Sequence, residues 1–150
     1  MNQWFEDPRV EQAEEDGFQA EHLETRGDPG AAGALYRKAA DRYAQVAFSV
    51  PADHPNTRTE LAIAAVACAA RGGDFQWAIE IAERMLAEAA ALNEYGQTEL
   101  RKLLAGYSEV IRAREHRSPE SGSAAPAGKM EQMSRASARG AFERHVPRAA

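Results

Sequence analysis

The chain has 150 residues, a net charge of −5 and one cysteine, Cys68, so an intrachain disulfide is excluded and a reducing compartment is favoured. No apolar run reaches membrane-spanning length, and the acidic balance disfavours nucleic acid, whose phosphates call for a surplus of cations. The charge is uneven: residues 1–117 carry 13 Lys+Arg against 20 Asp+Glu, whereas residues 118–150 carry 5 against 3.

Five helices and a tail are predicted. Residues 1–7 form an N-terminal extension without the basic and apolar regions of a secretory signal. The first helix runs from about Pro8 to Arg26, with Asp7 as its cap and Val10, Ala13, Phe18, Ala20 and Leu23 as its apolar stripe. Gly27-Asp28-Pro29-Gly30 ends it. The second spans about Ala31 to Phe48, with Leu35, Tyr36, Ala39, Tyr43, Val46 and Ala47 at helical spacing. Val50 to Asn56 holds two prolines and breaks the chain.

The third helix is expected to open on a capping box, Thr57-Arg58-Thr59-Glu60. Leu61 to Ala70 then follows, apolar on nearly every face, which marks it as the centre of the fold. Gly72-Gly73-Asp74 ends it. The fourth helix covers about Phe75 to Ala90, turning Ala78, Ile81, Ala82, Met85 and Leu86 inward. The fifth runs from near Asn93 to about His116 on Leu100, Leu103, Leu104, Tyr107, Val110 and Ile111. Residues 118–128 read as a Ser/Pro/Gly/Ala linker. The basic tail beyond it is expected to be disordered, or a short helix from about Met130 to Arg144 held by a partner.

One pattern occurs twice: Gly27-Asp28 followed by Ala32, Tyr36 and Ala39, and Gly73-Asp74 followed by Ala78, Ala82 and Met85. Small or flat residues at helical spacing after a Gly-Asp turn let two helices pack closely as a hairpin. With Ala20 upstream and Phe75 after the second turn, these residues resemble the tetratricopeptide repeat over about residues 8–116. The resemblance implies an all-α domain of two stacked hairpins closed by a capping helix, and a protein-interaction scaffold as its use. The departures are specific. The two Gly-Asp steps lie 46 residues apart, against about 34 in the family. Asp16 and Ala62 stand where a large aromatic is expected, and Pro51 matches the terminal proline loosely.

In arrays of this kind the first helix of each hairpin lines a concave face. That face projects Glu14, Glu21 and Glu24 from the first helix and Glu60, Ile63 and Arg71 from the third, with Glu94 and Arg101 from the fifth. The set reads as a partly acidic trough for a basic or extended peptide; the plainer reading is an ordinary solvated helix face. The chain's own basic tail is a further occupant within reach of the trough. Trp77 reads as an interface anchor or as packing against the neighbouring hairpin, and Trp4 and Phe5 as exposed aromatics.

No chemistry emerges from the remaining candidates. His22, His54, His116 and His145 form no metal-binding spacing, and Gly72-Gly73 lacks the residues of a phosphate loop. Cys68 reads as a buried small hydrophobe. No catalytic residue, cofactor or metal is expected. The leading expectation is a non-catalytic adaptor or scaffold that binds a protein partner in the cytoplasm. The abundance of alanine and the ratio of Arg to Lys, 15 to 3, suit the codon usage of a GC-rich bacterial genome. The alternatives are a structural subunit of a homo-oligomer or larger complex, and a small-ligand regulatory domain.

Overall fold

The computed structural model describes residues 3–117. Five α-helices follow in order: α1 (Pro8–Thr25), α2 (Pro29–Ser49), α3 (Pro55–Arg71), α4 (Phe75–Ala87) and α5 (Glu94–Glu115), with a short 3-10 helix at Ala89–Ala91. No strand occurs among the described residues, and the fold is all-α. The linker and basic tail expected over 118–150 lie outside the described residues.

The two Gly-Asp steps are the same turn built twice. Gly27 and Gly73 take φ of 83° and 82°, the left-handed conformation that costs a side chain most and glycine least. At the first step the Gly27 amide donates to Glu24 and the Asp28 amide to Leu23; at the second, Gly73 donates to Ala70 and Asp74 to Ala69. This pair of bonds closes the last turn of a helix on its orphan carbonyls. The aspartate then starts the next helix: Asp28 accepts from the Ala31 amide at 3.2 Å and Asp74 from the Trp77 amide at 3.0 Å. One dipeptide thus ends one helix and caps the next.

Three boundaries differ from the sequence expectation. α2 begins at Pro29 rather than Ala31, because proline at a first helical position sacrifices no bond. α3 likewise begins at Pro55, so the capping box at Thr57–Glu60 does not form. Its residues lie inside the first turns, where Thr57, Arg58 and Thr59 are buried. The Thr59 hydroxyl instead accepts from the Asn93 amide at 3.1 Å, tying α3 to the start of α5. α4 stops at Ala87, and the 3-10 turn takes up the rest of the expected span.

α3 is the axis of the molecule, packing against α2, α4 and α5. All ten residues from Leu61 to Ala70 are at most 3% exposed. Seven of the ten are alanine or cysteine, so the surrounding helices come close and the larger volume is supplied by Tyr36, Tyr43, Ile81, Met85 and Leu100. On α1 the buried face is Val10, Ala13, Gly17 and Ala20, joined by Asp16. Phe18, expected in that stripe, is 48% exposed. It sits one residue, about 100°, round the helix from Gly17, and it was hydrophobicity alone that placed it inside.

Candidate functional site

Buried charge in this domain is used to fasten helices. Arg71, the last residue of α3, has a side chain only 2% exposed and reaches two carboxylates of α1, Glu21 at 3.0 Å and Glu24 at 2.7 Å. Its guanidinium lies 4.6 Å over the Tyr36 ring of α2. The Tyr36 hydroxyl donates to Glu24 at 2.6 Å. Burial and that hydrogen bond to Glu24 push the phenol's pKa far above its ordinary value. Arg42 of α2 pairs with buried Asp16 of α1. Arg58 of α3 donates to the Val50 carbonyl at 2.9 Å and to Glu88, beyond α4, at 2.6 Å.

The nine residues of the projected face are therefore not one surface. Glu21, Glu24 and Arg71 come together, but as an internal clamp. Ile63, expected on the face, is 3% exposed and belongs to the core, because α3 is covered on that side too. Arg71 likewise offers no open cation. Glu14 is half-buried, and desolvation, with Glu11 nearby, raises its carboxyl pKa. Glu94 and Arg101 are exposed on α5. Trp77 is partly buried against the core, with the Arg84 guanidinium 5.8 Å over its ring. Glu60 stands apart, eleven residues before Arg71 and so about 16 Å along the α3 axis.

Glu60 lines the feature that sequence reasoning missed. An open cleft of about 350 Å³ lies where the start of α3 meets the chain leading into α1, bounded by Phe5, Asp53, His54, Pro55, Asn56, Thr57 and Glu60. Trp4 and Phe5, expected as exposed aromatics, are half-buried against the core. The Trp4 ring stacks on His54 at 4.5 Å between centroids, tilted by 55°. The Asn93 side-chain amide donates to Asn56 at 2.8 Å. The beginnings of α1, α3 and α5 thus gather at one end of the domain, and the Arg71 clamp closes the other.

The chain matches no family model, no curated protein and no solved structure.

A signal for the cleft was present in the sequence. The spacing of 46 residues between the Gly-Asp steps exceeds the tetratricopeptide period of about 34, and part of the excess is the break expected at Val50–Asn56. That segment supplies Asp53 and His54 to the cleft, and Pro55 and Asn56 join them from the first turn of α3. Among the described residues no group of three or more His, Cys, Asp or Glu is placed to hold a metal ion, and no helix is long and apolar enough to cross a membrane. Cys68 is buried in α3 and its thiol pKa is pushed up by burial.

Proposed function

We propose that this chain is a non-catalytic adaptor, a tetratricopeptide-like helical domain that holds a segment of a partner protein. One observation carries this reading. Arg42, Arg58 and Arg71 are spent on fastening helices, while the open cleft is lined by mixed aromatic, carboxylate and amide side chains. An open, polar hollow at the start of a helix suits the capture of a side chain from another molecule. The domain's acidity favours a basic segment through charge steering.

Affinity capture by the immobilised full chain, with quantitative mass spectrometry of what is retained, tests the proposal. A defined partner enriched over a heat-unfolded control, together with a monomeric mass by light scattering, is the expected result. A concentration-independent oligomer that enriches nothing would replace the adaptor with the structural-subunit reading.

A further inference from the structure

We infer that the outer flank of α1 is a docking surface for the chain's own basic segment, residues 129–150. That flank shares no residue with the cleft, so the inference does not rest on the adaptor reading.

α1 is the edge of the domain. It packs along α2 and reaches α3 through Glu21 and Glu24 at the Arg71 clamp. Glu11, Glu14, Phe18, Glu21 and His22 recur at three- and four-residue spacing, so they share one flank, turned away from the buried stripe of Val10, Ala13, Gly17 and Ala20. Two features mark this flank. Phe18, at 48% exposure, is the most exposed large hydrophobic side chain among the described residues, and its ring is apolar area still to be buried. Glu11 and Glu14, two turns and one turn before it, enter no ion pair among the described residues. The half-buried Glu14 carboxyl is desolvated and meets the like charge of Glu11. A cation brought to that pair would relieve the repulsion.

Charge and tethering name the occupant. A second copy of the domain would present more of the same charge, since residues 1–117 hold 13 Lys+Arg against 20 Asp+Glu. Residues 129–150 reverse the balance, with 5 Lys+Arg against 2 Asp+Glu, and they carry Met130, Met133 and Phe142 as apolar surface for Phe18. A basic segment of another protein offers the same chemistry, but a tethered one acts at an effective concentration on the order of a millimolar. Reach is sufficient. The chain from Arg117 to Lys129 spans up to about 40 Å when extended. α5 packs on α3, and α3 is clamped to α1, which makes two interhelical steps of about 10 Å each. Even with the whole length of α5, about 33 Å, taken at right angles to those steps, Lys129 arrives at Phe18.

The test compares the full isotope-labelled chain with a full-length variant in which Lys129, Arg135, Arg139, Arg144 and Arg148 are changed to Gln. The amides of Glu11, Glu14, Phe18 and His22 should differ between the two, while those of His54 and Asn56 stay in place. The difference should shrink at about 0.5 M salt, which screens exposed charges. A peptide of residues 129–150 added to the variant should restore the shifts saturably. Changing Glu11 and Glu14 to Gln together with Phe18→Gln in that variant should weaken peptide binding by roughly fivefold or more. Phe18→Gln alone guards against a folding defect, since the ring lies outside the core; it should weaken binding by roughly twofold or more with the spectrum otherwise unchanged. Identical α1 amides in the two chains, shifts at the cleft instead, or unaltered peptide affinity in the triple variant overturns the inference. So do shifts that grow with protein concentration, since a second copy's tail would then be the occupant.

Discussion

Glu24 is shared: its carboxylate accepts from the Tyr36 hydroxyl at 2.6 Å and from Arg71 at 2.7 Å. Three helices meet on that one group. Removing the cation leaves two carboxylates without their partner, an effect of roughly 3–5 kcal/mol where a pair is fully buried. Glu21 and Glu24 keep some solvent contact, at 36% and 23% exposure. Arg71→Ala should therefore lower stability by about 2–3 kcal/mol. Tyr36→Phe, which removes one hydrogen bond, should cost about 1 kcal/mol. Urea unfolding followed by circular dichroism measures both, and a cost for Arg71→Ala below that of Tyr36→Phe would refute the clamp.

The duplicated turn makes a matched prediction. Gly27→Ala and Gly73→Ala each force a Cβ into left-handed backbone, with nothing else within 4 Å of it. Each should cost about 1–2 kcal/mol from backbone strain alone. Gly30→Ala, also in open space but in the first turn of α2, should be neutral or stabilising by up to about 1 kcal/mol. Thermal unfolding of the three variants separates conformation from packing.

Glu14 gives the stability a pH dependence of definite sign. Its carboxyl is held above the ordinary glutamate value of 4.5, first by burial and then by Glu11. The folded state therefore binds this proton more tightly than the unfolded state does. The contribution is absent well below pH 4.5, where both states are protonated. It becomes a penalty as pH climbs from there through the folded pKa, and then stays constant. Glu14→Gln should accordingly raise the urea midpoint at pH 7 and lose that advantage near pH 4. An equal gain at both pH values would mean that the amide acts through packing.

Cys68 should be silent toward thiol reagents in the folded protein. It is 1% exposed and its thiol is held protonated by burial, whereas reaction needs an accessible thiolate. Labelling by a disulfide reagent should then track unfolding across a urea series. A fast phase in the absence of denaturant would show that α3 opens locally.

The sequence shows much of the fold and little of the cleft. The Gly-Asp turns were readable because glycine and aspartate each have one dominant physical use there. The all-apolar run from Leu61 to Ala70 announced a covered helix for the same reason. Thr57–Glu60 misled because a good capping box was outbid by Pro55 two residues earlier, and Thr59 found a partner in Asn93 across the fold. Burial of Asp16 required Arg42, 26 residues away, which no local pattern reports. The cleft depends on Phe5 and Glu60 meeting, 55 positions apart. Helical spacing says nothing about loops, so Asp53 and His54, with Pro55 and Asn56 at the start of α3, registered only as a break.

The sheathing of α3 on every side gives the domain a single cooperative unit. The two hairpins look like separable copies, yet Leu61 to Ala70 of α3, one arm of the second, is also the surface on which α2 of the first packs. Cutting the chain between Val50 and Pro51 would separate α2 from the helix that covers its inner face. The amide protons of α3 should be the last in the protein to exchange with solvent, all with one free energy of opening, because there is no smaller opening that exposes them.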